Sequence, residues 1–368
     1  MAKRKSSKKA QREPAISASS VPQTANPFAI SWRWLASGLV VALLLIGAVL
    51  FLLRQREPTA PVAPVDMAEA TAPTVAPTVA SGHSRPNDAP PGIVDYCRRS
   101  PKFRDSEGFS TRSVLSTTER GVKGAIMIEI DANGQVTRNY QHPSWDDAGF
   151  LGHMVLDRGG NLYTFPAPYV SLIDNPPELQ NIIYHIDSAT AEMTRFYTVT
   201  APALPTPENP FGIMGLVYDC DTESLYASSV AGSTRAATLG QIVRIDLDSR
   251  AVRFRYEGVD AFGLGIYITP STDAMVTGKR LYYGLARAPE IYSIGLDEAG
   301  DLLDDVRLEI TLPDPTLKAR RLIFARDGKL EIRSRAFDFN LIATSERAET
   351  VYYYTFDPAT QRWQLVPA

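Results

Sequence analysis

A unit of four short β-prone runs, repeated along most of the chain, limits the possible folds more than any other feature. Its clearest copy reads GIMGLVYD (212–219), SLYASSVA (224–231), QIVRIDL (241–247) and AVRFRYEGV (251–259). The copy before it reads LGHMVLD (151–157), NLYTFPAP (161–168), NIIYHIDS (181–188) and EMTRFYTV (192–199). The copy after it reads LGIYITP (264–270), RLYYGLAR (280–287), EIYSIGLD (290–297) and LLDDVRLEI (302–310). A last copy runs through RRLIFARDGKLEIRSR (320–335), TVYYYTFD (350–357) and RWQLV (362–366). A partial first copy offers FSTRSVL (109–115), GAIMIEID (124–131) and QVTRNYQ (135–141). These runs are rich in Val, Ile, Tyr and Phe and are bounded by Gly, Asp or Pro, as strands and turns are.

Two marks keep the copies in register. A Leu-Tyr pair opens the second run at Leu162-Tyr163, Leu225-Tyr226 and Leu281-Tyr282. An apolar-Asp pair closes the third at Ile130-Asp131, Ile186-Asp187, Ile245-Asp246, Leu296-Asp297 and Phe356-Asp357. Four strands recurring every 50–63 residues or so match the blades of a β-propeller. A lone blade leaves both faces of its sheet wet, so blades must stack around an axis. The expected fold is therefore all-β, a propeller of about five four-stranded blades, with six as the alternative.

A different kind of segment precedes the repeats. Residues 34–53, WLASGLVVALLLIGAVLFLL, hold no charge over 20 positions. At about 1.5 Å per residue a helix of that length matches the bilayer core of roughly 30 Å. Trp32 and Trp34 stand at one end, where aromatic rings favour the interface. Nine basic side chains in residues 1–57 against Glu13 and Glu57 give this part +7, so a chain total of −3 leaves the remainder at −10. Basic residues before the span orient the N-terminus towards the cytoplasm. An acidic outer domain is also a poor binder of nucleic acid, which requires cationic neutralisation of phosphates.

The expected organisation is a basic cytoplasmic tail (1–33), one transmembrane helix (34–53), a linker (54–92) and an extracytoplasmic propeller domain (93–368). The protein is thus expected in the cell membrane as a single-pass chain. The absence of any Asn-x-Ser/Thr sequence points to a bacterial source. The stretch 57–92 holds eight of the 27 prolines, and proline fixes φ and removes donors, giving an extended tether. Both cysteines, Cys97 and Cys220, follow the apolar run. Outside the cytoplasm they are free to form a disulfide.

The D-x-x-G-N-L-Y run at 157–163 and the I-x-x-I-D turns resemble the repeats of NHL, gluconolactonase-like and quinoprotein-like propellers. The likeness spans residues 109–366 and is one of repeats only. It implies the propeller fold but no single activity, since propellers host binding, scaffolding and catalysis alike.

Links between first and second strands and between third and fourth strands are tight, and in a propeller both lie on one face. The longer links, 164–180, 199–210, 228–240, 311–319 and 333–349, share the other face, where a protein partner or ligand is expected to dock. Candidate contact residues are Phe150, His153, Tyr169 and Phe211. Phe262, Arg320 and Arg335 complete the set. A D/N-x-x-G pattern leads into three inner strands at Asp146, Asn209 and Asp260. Three such oxygens at one channel mouth would suit a divalent cation such as Ca²⁺, and the gluconolactonase-like resemblance implies an ion at this kind of place; otherwise no cofactor is expected. The chain holds no G-x-S-x-G, no phosphate-binding G-x-x-x-x-G-K and no C-x-x-C. The leading expectation is therefore a membrane-anchored binding or scaffold module, such as an accessory subunit of a membrane complex. The alternative is a metal-dependent, lactonase-like hydrolase acting at the channel mouth.

Overall fold

The structure is a computed structural model that describes residues 85–86, 89–117, 121–167, 171–270, 278–341 and 348–367. The basic tail, the apolar run 34–53 and nearly all of the linker lie outside the described residues. Among those described, no helix is long and apolar enough to cross a membrane.

Five antiparallel sheets follow one another along the chain. The first holds β1 (Val114–Ser116), β2 (Ile126–Ile130) and β3 (Val136–Tyr140). The second holds β4 (Val155–Leu156), β5 (Leu162–Thr164), β6 (Ile182–Ile186) and β7 (Met193–Thr198). The third holds β8 (Ile213–Asp219), β9 (Ser224–Ser229), β10 (Gln241–Asp246) and β11 (Val252–Glu257). The fourth runs from β12 (Ala261–Ile268) through β13 (Lys279–Leu285) and β14 (Glu290–Leu296) to β15 (Leu302–Thr311). The fifth runs from β16 (Leu317–Phe324) through β17 (Lys329–Ala336) and β18 (Thr350–Asp357) to β19 (Arg362–Leu365). Each strand pairs with its sequence neighbours, which makes five up-and-down blades. Among the described residues the first has three strands where the others have four.

Position within a blade explains the residue pattern of each strand. β9 and β10 are buried at every residue because other strands flank them and neighbouring blades cover both faces. β11, at the outer edge, alternates half-buried and exposed residues through VRFRYE, and its charges discourage further strand pairing. The apolar-Asp mark is a turn device. The Asp187 carboxylate accepts from the Ala189 and Thr190 amides, both at 2.8 Å, and these bonds, Thr190's foremost, hold its pKa below the ordinary carboxylate range. Asp246 and Asp357 cap the corresponding turns through Ser249 and Ala359. Ala191, Arg250 and Gln361 in these turns take a left-handed φ of 54–63°.

Apolar clusters fill four seams. Trp145, Met127, Leu162 and Ile186 join the first blade to the second, and Tyr163, Ile183, Leu216 and Val243 join the second to the third. Ile242, Leu264, Leu281 and Ile294 join the third to the fourth. Tyr282, Leu322, Ile332 and Trp363 join the fourth to the fifth. A fifth cluster lies at one mouth of the axis.

Residues 92–103 form a strap across the tight-turn face, against chain order. Ile93 bridges Tyr267 of the fourth blade. The Cys220 amide of the third blade donates to the Val94 carbonyl at 3.1 Å. The Arg99 amide reaches the Asp157 carbonyl of the second blade at 3.2 Å, and the Phe103 amide reaches Ser188 at 2.7 Å. A short helix, α1 (Lys102–Ser106), then buries Phe103 against Trp145. Cys97 and Cys220 form the expected disulfide, 123 residues apart in sequence. Beside it the Tyr96 hydroxyl donates to Asp221 at 2.8 Å; burial, aided by that carboxylate, pushes its pKa up to about 12. Buried Lys279 pairs with Asp219 at 2.5 Å and Asp221 at 3.1 Å. On a chain-entropy account, closing a loop this long stabilises by about 4–5 kcal/mol. Replacing both Cys97 and Cys220 by Ala should therefore lower the unfolding free energy by a few kcal/mol in denaturant titration. A reducing agent should produce the same loss in the parent protein and none in the variant.

Candidate functional site at the long-loop mouth

The fifth cluster gathers Phe211, Met214, Val230, Phe262, Ala286, Phe337 and Phe339. Their elements explain the convergence. Phe211 and Phe262 stand at the upper ends of the inner strands of the third and fourth blades. Phe337 and Phe339 come from the segment after β17. Phe337 packs on Phe262 at 4.6 Å and on Phe211 at 5.1 Å, and Phe339 lies 5.1 Å from Phe337. The tilted geometries are those in which ring quadrupoles attract.

A polar frame surrounds these rings. Asp260 is buried and accepts from the Gly240 amide at 3.0 Å, from the Ser233 hydroxyl and from Arg287 Nε at 2.5 Å. Arg287 also donates to the carbonyls of Thr234, Arg235 and Ala237 and lies over the Phe339 ring at 4.7 Å. Arg235 bridges to Asp338 at 2.5 Å, tying a third-blade loop to a fifth-blade loop. Asn209 donates to the carbonyls of Val230 and Ser233 at 2.9 and 2.7 Å and accepts from the Phe211 amide at 3.2 Å. Asn209 and Asp260 thus fasten loops to the inner strands.

Asp146 stands apart from them, exposed on a 3₁₀ helix (Pro143–Ala148). The loop-fastening role near it belongs to buried Asn175, which accepts from the Phe150 amide at 2.8 Å and donates back to its carbonyl at 2.9 Å. Among the described residues, no three His, Cys, Asp or Glu side chains gather where they could hold one metal ion.

The other expected contact residues divide between the axis and the blade interiors. Arg320 meets Phe211, Met214, Gly152 and Phe165 around a cavity of only 10 Å³, so side chains close the axis at this level. His153 packs edge-on against Phe165 at 5.2 Å. Its Nε2 lies 2.8 Å from the Leu216 carbonyl. Burial first, and the Arg321 guanidinium second, push its pKa down to about 3. Phe150 is buried under its Asn175 clasp, and Arg335 is buried on β17. Tyr169 lies outside the described residues. Sequence reasoning missed Phe337, Phe339, Asn175 and Arg287; the alternating FDF run at 337–339 is the one signal that could have found the first two.

A larger cavity of 450 Å³ lies on the outer rim between the fourth and fifth blades, lined by Arg280, Arg307, Glu309 and Arg362. Its inner arginines are already engaged. Arg280 pairs with Asp305 at 2.6 Å and Arg307 with the same carboxylate at 2.7 Å.

No protein-family profile matches the sequence, and the curated proteins yield no match. Among solved structures, a luciferin-regenerating enzyme is similar at 15% identity and a TM-score of 0.41, over 67% of this chain and 75% of that one. A nidogen/laminin complex is similar at 10% identity and 0.38, over 67% and 90%. A glucose dehydrogenase is similar at 9% and 0.38, over 64% and 76%. Likenesses this distant say nothing about activity, and the propeller rests on the strand order above.

The His153 environment generates a pH expectation. Its pKa is depressed in the folded chain, so the unfolded chain binds the extra proton and stability falls as pH drops below about 6.5 towards the folded value. Between pH 6.5 and 5, above the carboxylate range, the thermal midpoint of the parent protein should fall. The His153→Phe variant should show a flatter profile over that interval in calorimetry.

Proposed function

We propose that this chain is a membrane-anchored, extracytoplasmic scaffold that recruits a protein partner on the long-loop face of its propeller. The observation that carries the reading is where apolar side chains meet water. Among the described residues, every exposed large apolar side chain on a loop rather than a strand belongs to a long-loop-face link. These are Ile173, 93% exposed, Leu204, 69% exposed, and Leu239 and Leu341, both 38% exposed. Isolated exposed apolar residues are ordinary on any surface. Four confined to one face of a rigid scaffold, around a buried aromatic core, have the composition of a docking surface. The opposite face is crossed by the strap.

The frame supports this reading. The Asp260–Arg287 and Arg235–Asp338 pairs hold the loops against one another before any partner arrives, which lowers the ordering cost of association. Anchoring rests on the sequence alone, on the 20-residue apolar run with basic residues before it and a proline-rich tether after it.

Two measurements test the proposal. The full chain should stay in the membrane pellet after alkaline carbonate washing, and deletion of residues 34–53 should release it; an intact chain that washes off rules out the anchor. After extraction in mild detergent, the parent protein should co-purify with a stoichiometric partner. The triple variant Ile173→Asp, Leu204→Asp, Leu239→Asp should lose that partner while keeping its thermal midpoint, because exposed substitutions alter stability by only about 0.5 kcal/mol. Retention of the partner by the triple variant overturns the assignment of this face.

A further inference from the structure

Near the axis, the seam between the fourth and fifth blades is filled by Tyr282, Leu322, Ile332 and Trp363. Further out it opens. β15 is ten residues long and β19 only four, and the cavity of 450 Å³ lies between them. Its two walls differ in chemistry. The fourth-blade wall is polar. There the Arg280 guanidinium, 6% exposed, donates to the Ser293 hydroxyl and carbonyl and to the Asp305 carboxylate. Arg307 holds the same carboxylate through Nε at 2.9 Å and Nη2 at 2.7 Å. Glu309, 9% exposed, accepts from the Ser293 hydroxyl through Oε1. The fifth-blade wall presents the Phe356 ring, which packs on Trp363 at 5.3 Å. Beside it Gln361 Nε2 donates to the carbonyls of Pro270 and Pro358. Arg362 pairs across the strands with Asp357, on the face opposite the Phe356–Trp363 pair. Three lining groups keep unused hydrogen-bonding capacity. Among the described residues Glu309 Oε2 and Gln361 Oε1 accept no bond, and Arg307 Nη1 donates none.

We infer that this rim cavity binds a small neutral carbohydrate, one sugar ring lying on Phe356 and its hydroxyls meeting Glu309, Gln361 and Arg307. The cavity falls within the range that holds small-molecule ligands, roughly 300–1,000 Å³. The charges on its polar wall cancel, since Arg280 and Arg307 stand against Asp305 and Glu309. An ion entering it would lose hydration and gain no counter-charge. A wholly apolar ligand would cut Glu309 Oε2 and Arg307 Nη1 off from water without a partner. A carboxylate oxygen can only accept and a guanidinium only donate, so a ligand that satisfies both must do both, as a hydroxyl does. A sugar ring also has C–H groups on its faces, which suit an aromatic wall. The bonds among Ser293, Arg280 and Asp305 fix the polar wall before a ligand arrives, which lowers the ordering cost of binding. The site lies on the outer rim and is separate from the long-loop face.

The test uses the full chain in a detergent without a sugar head group. Maltose, cellobiose and N,N′-diacetylchitobiose are the neutral probes, with glucuronate and a tetra-alanine peptide as the charged and peptidic comparisons. Saturation-transfer NMR should show saturable binding of at least one of the disaccharides, with the strongest transfer to ring C–H protons. Arg307 is 55% exposed, so Arg307→Ala keeps the fold, and it should weaken binding about tenfold by removing a charged donor. Phe356→Leu keeps an apolar side chain but removes the ring, and should abolish the transfer to C–H protons. The variant Ile173→Asp, Leu204→Asp, Leu239→Asp should bind the sugar as the parent does, so the two surfaces are judged separately. Binding of none of the three disaccharides, parental affinity in Arg307→Ala, or a preference for glucuronate or the peptide overturns the inference.

Discussion

Every blade of this protein is a sheet with two faces to cover, and that single requirement organises the rest. Near the inner strands β8 and β12, neighbouring blades come close where side chains are missing. A Cβ on Gly263 would stand 2.6 Å from the Arg320 carbonyl oxygen, and one on Gly212 would stand 2.2 Å from that of Gln180. With those contacts made, the flanking strands fall into register. Apolar clusters fill the seams, and polar residues are left to the outer edges. The mouth is built on the same frame, since Phe211 and Phe262 converge because the tops of two inner strands do.

The two ends of the axis differ in kind. On one, short turns are braced by their own aspartates and overlaid by the strap, with the buried Lys279–Asp219 pair beneath. On the other, long links are drawn together by Asp260, Asn209, Arg287 and Arg235 over an aromatic core, and they hold apolar tips out to water. Removing one member of a buried pair such as Lys279–Asp219 leaves an uncompensated charge, at a cost of about 3–5 kcal/mol. The looped end carries a buried pair of its own in Asp260–Arg287, so each end has a charge that cannot be removed singly.

Much of this was legible in the sequence because the repeats carry their own turn chemistry. The Asp at the end of each third strand marks a blade because it caps the next turn. The Leu-Tyr pairs mark second strands because these lie between two seams. Local signals stop there. The strap's partners lie on distant blades, so nothing near Ile93 or Arg99 announces them. α1 is a five-residue element whose Phe103 is fixed by Trp145 far along the chain. Asp146 and Asn209 share a motif, yet one is exposed and the other buried, and near Asp146 the loop is clasped by Asn175 instead. The cysteine pair was readable as permitted, but its geometry depends on the strap. Phe337 and Phe339 stand in a link between strands, where periodicity carries no information, and only the fold brings them to Phe262.

The disulfide also has a mechanical meaning. It closes a covalent ring from Cys97 to Cys220 that contains the first two blades. Tension applied to the chain upstream of Cys97 is carried across the sulfur bridge into the β8–β9 turn of the third blade, and the ring behind it bears no load. Among the described residues the first blade has three strands and one filled seam. The bridge shields that blade from any pull applied to the chain before Cys97.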